Sequence, residues 1–206
     1  MPARAPGWPA TLTEDRVMLR PLRLRDGPAW VEVRKANIDW LRPWEATPPG
    51  GPVVVSTSYA VFWAMVRGQR RQARRGGGLP FAVLYDGRLV GQLNIGGIVR
   101  GSLHSCHIGY WIDSRVAGRG IMTTAVAMAT DHAFWAVGLH RVEINIRPEN
   151  AASRRVVEKL GFREESLRRR FLHIDGEWRD HLSYALVREE VSGGLLARWR
   201  RNRGSA

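Results

Sequence analysis

An apolar strand pattern over residues 108–112, a glycine-bearing turn reading Ser114-Arg-Val-Ala-Gly-Arg-Gly-Ile-Met122, and a long apolar helix pattern reaching residue 137 follow one another without a gap. A strand that feeds a helix through so short a turn belongs to a sheet with the helix packed on its face, which commits the chain to a mixed α/β layer structure. The first N–H groups of a helix have no partner within it, and its dipole makes that end positive. Gly118 and Gly120 let the backbone approach phosphate oxygens without a side chain in the way, and Arg115 and Arg119 add charge-assisted donors. Chance alone yields Arg-x-x-Gly-x-Gly often, and a plain structural turn satisfies it equally. The placement between strand and helix is what gives it weight. A dinucleotide fold is excluded, because Gly-x-Gly-x-x-Gly is absent and no early βαβ unit contains the turn.

Other elements follow from periodicity and punctuation. Residues 14–25 read as a first strand bent at Pro21, and Asp26 caps a helix through about Asn37. Residues 38–52, with Trp40, Leu41, Pro43 and Trp44, are too proline-rich for a regular element and too aromatic for an idle linker. Ser56 opens a helix that ends at Gly76-Gly-Gly78. Strands over 81–85 and 89–95 form a hairpin through Asp86-Gly87-Arg88, and a third strand covers 107–112 after a break at Gly96-Gly97. Beyond the glycine turn come the helix 121–137, a strand 140–146, a helix 150–160 stopped by Gly161, and two strands, 163–174 and 178–187, joined through Asp175-Gly176. No internal repeat is evident.

With 206 residues and 44% hydrophobic content, the chain can bury one sizeable core. The expected organisation is an N-terminal extension over 1–13, one domain over 14–188 and a basic tail over 189–206. No apolar run of 18 residues and no leader pattern is present, so the reading is a soluble cytoplasmic protein with no membrane partner. Cys106 is the sole cysteine; neither an internal disulfide nor a cysteine-based metal site can form, and no metal is expected. The nearby His104 and His107 read as strand histidines. A formal charge of +13, carried almost wholly by arginine, suits a polyanionic partner such as a ribosome or RNA, an acidic protein, or nucleotide phosphates. The tail Arg198-Trp-Arg-Arg-Asn-Arg203 offers Trp199 for base stacking, against the plainer reading of a solvated terminus.

The turn, together with Gly109-Tyr-Trp-Ile-Asp113 before it, Asn150-x-x-Ser153 and Glu158-Lys-Leu-Gly-Phe162 after it, and Trp40-Leu-Arg-Pro-Trp44 upstream, resembles the GCN5-related N-acetyltransferase (GNAT) family. The segments Leu172-His-Ile-Asp-Gly-Glu-Trp-Arg-Asp-His181 and Arg100-Gly-Ser-Leu-His104 are similar to its branch of RimJ/RimL-type ribosomal-protein alanine N-acetyltransferases. The resemblance covers about residues 14–188. It implies a single-domain α/β (mixed α+β) fold with a mostly antiparallel, splayed sheet of six to seven strands flanked by helices, and acetyl-CoA as cofactor. It also implies that the backbone of Tyr110, Trp111 and Ile112 pairs with the pantetheine arm. The loop Arg115, Val116, Ala117, Gly118, Arg119, Gly120, Ile121 and Met122 holds the pyrophosphate, and Asn150 and Ser153 sit near the cofactor thiol. Many relatives place a tyrosine just before the Glu-Lys pair as general acid; Val157 stands there in this chain, so that mechanism is not expected.

Acetyl transfer needs an α-amine deprotonated and held against a thioester carbonyl, an oxyanion stabilised by preplaced donors, and a thiolate able to leave. An α-amine has a pKa of about 8, so a modest base acting through water suffices. The candidate bases are Glu143 and Glu45, each also readable as an ordinary solvated carboxylate. Trp40, Trp44 and the following prolines read as an acceptor wall or as core-edge packing, and His173 or His181 can reach a substrate. The expected reaction is direct acetyl transfer to the N-terminal amine (Ala or Ser) of a ribosomal protein by a monomer or homodimer. The alternatives are acetylation of a small amine, an antibiotic or protein lysines, and a ribosome-associated binding factor with a vestigial acetyl-CoA site.

Overall fold

The computed structural model describes residues 5–50 and 57–204. One eight-stranded sheet runs in the order β1-β2-β3-β4-β5-β6-β8-β7. Its strands are β1 Leu12–Glu14, β2 Val17–Pro21, β3 Gly78–Tyr85, β4 Arg88–Val99, β5 Ser105–Ile112, β6 Arg141–Ile146, β7 Arg163–Ile174 and β8 Glu177–Val187. Every neighbouring pair is antiparallel except β5 and β6, which run parallel. The helices are α1 Gly27–Ala36, α2 Ile38–Leu41, α3 Tyr59–Arg74, α4 Ile121–Trp135, α5 Ala151–Leu160 and α6 Leu195–Gly204.

Two cores form on the two faces of the sheet. α4, α5 and α6 cover one face through Phe134, Val157, Leu160 and Leu195, against Leu19, Phe81, Leu93 and Ile144. α1 and α3 cover part of the other through Trp30, Phe62 and Val66 against Ala82 and Leu84. α4 is buried along almost its whole length, because it lies between the sheet and α6.

Several boundaries differ from the sequence reading. The first strand is two short ones, since Asp15 takes a positive φ of 49° and turns the chain between β1 and β2. That raises the strand count to eight. Residues 38–44 are helical after all, as α2 followed by a 3₁₀ turn Arg42–Trp44 with Pro43 in its first turn, where a missing N–H costs nothing. β4 passes through Gly96-Gly97 with a shift of register instead of ending there. Ser56, expected to open the third helix, lies outside the described residues; the Ser58 hydroxyl accepts from the Val61 N–H and caps α3.

The chain after residue 188 is largely ordered rather than a solvated tail. Val191, Leu195 and Trp199, spaced four apart, are buried against α4. The Asp131 carboxylate of α4 accepts from the Leu195 and Leu196 N–H groups, at 2.7 and 2.9 Å, and so caps the N-terminus of α6. The Trp199 indole donates to the Thr124 hydroxyl at 2.9 Å, and Arg200 closes on Glu14 of the first strand. Trp199 is 8% exposed and is therefore not available for stacking on a base.

Candidate active site

The site begins where the sheet comes apart. β5 and β6 pair only over Ser105–Arg141, Cys106–Val142 and His107–Glu143, although β5 continues to Ile112 and β6 to Ile146. Beyond those three pairs the strands diverge, leaving one backbone edge of 108–112 without a strand partner. A backbone edge unpaired inside a cleft is a template for a ligand that carries amides.

At the end of β5 a buried polar knot sets the entry to the turn. Asn37, 1% exposed, donates to the Val33 carbonyl at 2.9 Å and to Asp113 at 3.0 Å, and its amide oxygen accepts from the Ser114 N–H at 2.9 Å. The Asp113 carboxylate also accepts from the backbone and guanidinium of Arg115. Burial pushes the Asp113 pKa up, but these donors outweigh it and hold the carboxyl below its usual value. The Arg115 guanidinium is thus committed to Asp113 rather than pointing into the turn. Gly118 and Gly120 follow at φ +80° and +77°, the left-handed region that favours glycine. Gly120 is the N-cap of α4 and supplies no side-chain cap, so the first N–H groups of a 15-residue helix are left for a ligand.

One cavity of about 570 Å³ joins these parts. Ala117, Gly118, Gly120, Ile121 and Met122 line it from the turn, and Tyr110, Trp111 and Ile112 from the splayed strand. Asn150 and Ser153 line it from the start of α5, and Trp40, Trp44 and Glu45 from the aromatic segment. The volume falls within the range of about 300–1,000 Å³ common to small-molecule sites. The Asn150 side-chain oxygen is held as the N-cap of α5 by the Ser153 N–H at 3.0 Å, and the Tyr110 phenol donates to the Ser153 carbonyl at 3.3 Å, tying β5 to α5 across the splay. Burial drives the Tyr110 pKa well up, so the phenol stays a donor. The Trp40 indole donates to the Ile112 carbonyl at 3.2 Å. The glycine turn, the strand edge and the aromatic wall therefore share one enclosure.

A family model described as the acetyltransferase (GNAT) domain matches residues 16–163. The chain belongs to this family. It is 30% identical over 186 residues to the [ribosomal protein uS5]-alanine N-acetyltransferase of Escherichia coli, a match covering 89% of this chain and 93% of that protein. It is 44% identical to the solved structure titled Mycobacterium smegmatis RimJ in complex with CoA-disulfide, with a TM-score of 0.91 over 95% of this chain and 96% of that one. Probable N-acetyltransferase YjcK of Bacillus subtilis is 42% identical over 102 residues, and that match spans 56% of its length. The chain is thus a GNAT acetyltransferase close to the ribosomal-protein N-acetyltransferases, and its cofactor is acetyl-CoA. Its own geometry fits such a ligand, since an uncapped helix start suits the diphosphate and a bare strand edge suits the amides of the arm.

The remaining expected site residues stand apart from the cavity of this GNAT domain. Glu143 is closed by Arg141 and Arg168, each at 2.8 Å, and does not line the cavity. Val116 and Arg119 face a separate hollow with Arg16, Asp86 and Arg88. His173 bonds to Thr47 through its ring at 3.0 Å, and with the Ala46–Ile174 bridge it fastens the β7–β8 hairpin to the chain just after the aromatic segment. His181 is buried and contacts Phe171 edge-on.

Sequence reasoning missed four contributors. Arg34, its side chain 5% exposed, holds the Glu45 carboxylate with both oxygens at 2.5 Å and lies near the faces of Trp30 and Trp111. Its position four residues after Trp30, on the apolar stripe of α1, was the available signal. Arg155 and Lys159, also four apart, place two cations at the cavity rim. Arg147 donates to the Pro43 carbonyl at 2.6 Å and lies over Trp44, which fixes the aromatic wall from the far side of the splay.

Proposed function

We propose that this chain acetylates the N-terminal α-amine of a protein, alanine or serine in first position, and that the substrate is a ribosomal protein met in the cytoplasm. The observation that supports this reading is the shared cavity, in which the phosphate turn and the Trp40–Trp44–Glu45 wall face one another. Acetyl-CoA, when bound, supplies an acetyl group activated as a thioester. The N–H groups from Gly118 to Met122 hold its diphosphate, with Arg155 and Lys159 adding positive charge at the rim. The backbone of residues 110–112 pairs with the amide-bearing arm, which requires the Trp40 indole to release the Ile112 carbonyl.

Rigid aromatics beside the cleft hold a peptide backbone with little loss of side-chain entropy. Trp44, braced by Arg147, and Trp40 take that part. Glu45, positioned by the buried Arg34, accepts the ammonium proton directly or through a water. Glu143 does not line the cavity, so we assign it no proton. The Ser153 hydroxyl and the Asn150 amide group, at the start of α5, face the departing sulfur and supply a donor there. The Escherichia coli relative is named for acetylating the alanine of ribosomal protein uS5, a substrate of the same class.

The test is acetyl transfer followed by mass spectrometry, with peptides beginning in Ala or Ser, an α-blocked peptide containing lysine, and a small primary amine. Modification of the free α-amine alone is expected. Glu45→Gln should lower kcat by about 10²-fold or more while leaving the KM for acetyl-CoA nearly unchanged. Turnover confined to lysine or to small amines overturns the acceptor assignment.

A further inference from the structure

Helix α3 carries a surface that the acetyltransferase site does not use. From Tyr59 to Arg75 the chain has arginines at 67, 70, 71, 74 and 75 and no carboxylate. Phe62, Val66 and Ala73 turn inward to the core. At about 100° per residue, Arg67, Arg71, Arg74 and Arg75 lie on the outward half of the helix, and Trp63 and Tyr59 continue from them along its flank toward the core side. Tyr59 and Trp63 are 53% and 46% exposed. None of these residues lines the cavity.

Many arginines elsewhere are paired, among them Arg20 with Asp26, Arg34 with Glu45, Arg141 and Arg168 with Glu143, and Arg163 with Glu165. Among the described residues no such pair includes Arg67, Arg70, Arg71, Arg74 or Arg75. Arg70 donates to the Leu22 carbonyl at 3.3 Å and sits at the edge of the stripe. Five arginines within nine residues of sequence thus have no ion-pair partner among the described residues. The C-terminal arginines are engaged instead, Arg198 with the Leu160 carbonyl, Arg200 with Glu14 and Arg203 with Asp15.

We propose that the outward face of α3 binds RNA, its arginines contacting phosphates and Tyr59 and Trp63 stacking on unpaired bases. Guanidinium groups match phosphate oxygens bidentately, and exposed aromatic faces are the complement of splayed bases. An acidic protein would satisfy the arginines but leave two large aromatics with no partner of their own kind. From Tyr59 to Arg75 the stripe extends about 24 Å, enough to follow several nucleotides. The inference goes beyond the acceptor assignment, and its readout is separate from acetyl transfer, so either can fail without the other.

The experiment uses the full chain and a fluorescein-labelled single-stranded (U)20 RNA, with anisotropy read from 50 to 200 mM KCl. Arg67→Gln/Arg71→Gln/Arg74→Gln is expected to weaken binding at least tenfold and to reduce the slope of log K against log salt by about 2, at about 0.7 per lost phosphate contact. Trp63→Ala should weaken binding about fivefold or more with the slope unchanged. Arg88→Gln/Arg169→Gln/Arg188→Gln, an equal charge loss spread elsewhere, should keep the parental slope. Undiminished acetyl transfer by the α3 triple variant would show that it folds. Equal weakening by the two triple variants, no RNA binding by the parent at 50 mM salt, or tighter binding of poly-glutamate than of the RNA would overturn the proposal.

Discussion

Trp199 is the residue whose replacement tests the architecture most directly. Its ring is 8% exposed, its indole donates to Thr124 at 2.9 Å, and one ring carbon lies 3.6 Å from where a Cβ on Gly120 would stand. Truncating a buried tryptophan to alanine removes its transfer free energy and leaves a cavity, a loss of about 3–5 kcal/mol, to which the indole hydrogen bond adds about 1 kcal/mol. For a chain of this length each kcal/mol lowers Tm by about 2–4 °C, so Trp199→Ala should melt roughly 8–24 °C below the parent. Trp199→Phe keeps much of the packing and should lose only about 1–3 kcal/mol. A double-mutant cycle with Thr124→Val isolates the hydrogen bond, with an expected coupling of about 0.5–1.5 kcal/mol. Calorimetry at neutral pH supplies all four values. A Trp199→Ala protein within about 1 kcal/mol of the parent, or a strictly additive cycle, would refute the packed position of α6. If α6 also steadies the phosphate turn, the CoA dissociation constant measured well below the melting range rises more for the Ala variant than for the Phe variant.

Four further outcomes are expected. Gly118→Ala meets no neighbouring atom but keeps a φ of +80°, so it should lose about 1–2 kcal/mol of stability, while CoA affinity by calorimetric titration falls far more; a parallel small loss in both would remove the turn from the cofactor site. Cys106, buried and with its thiol pushed up to about 12 by desolvation, should not react with a thiol reagent until the protein unfolds, and rapid labelling of the native state would contradict its placement. Burial lowers His107, His132 and His181, so the unfolded chain takes up protons before the folded one does, and stability should decline as pH falls below about 6.5. Glu165 is held at about 2 by its hydrogen bond to Arg141, with Arg163 assisting; the stability it contributes is complete above the ordinary carboxylate pKa and is lost as pH falls from there toward 2. A urea midpoint that stays constant from pH 7 to 3 would contradict both assignments.

How much of this was readable from sequence depends on whether a feature is local. α3, α4, α5 and the β3–β4 and β7–β8 hairpins carry their own periodicity, caps and turn residues, and their limits were placed to within a few residues. β1 is only three residues long and turns through Asp15 rather than a glycine, so neither length nor turn chemistry marks it. α2 was hidden because Pro43 suggests irregularity, although proline is at ease in a first turn. Val191, Leu195 and Trp199 recur every four residues, a helical stripe that the arginines around it mask. In the site, the glycine turn, the strand before it and the aromatic segment could be named in advance because each is a contiguous motif. The knot of Asn37 with Asp113, 76 residues apart, and the embrace of Glu45 by Arg34 could not, since nothing local ties those side chains together. Glu143 shows the converse: its sequence neighbours admit a base or an ordinary carboxylate alike, and its arginine partners come from two strands that only the fold brings together.

The sheet is held between β5 and β6 by just three residue pairs. Mechanically it is two plates, β1 to β5 and β6 to β8, joined along a short seam that α4 crosses. The angle between the plates is the softest coordinate of such a body, because changing it breaks no ladder within either plate. The cleft can widen or narrow as a hinge does, with Tyr110 and Ser153 acting as a clasp across the opening. Amides at residues 105–107 and 141–143 should then exchange with solvent hydrogen sooner than those deep in either plate, reporting the breathing of the seam rather than unfolding of the molecule.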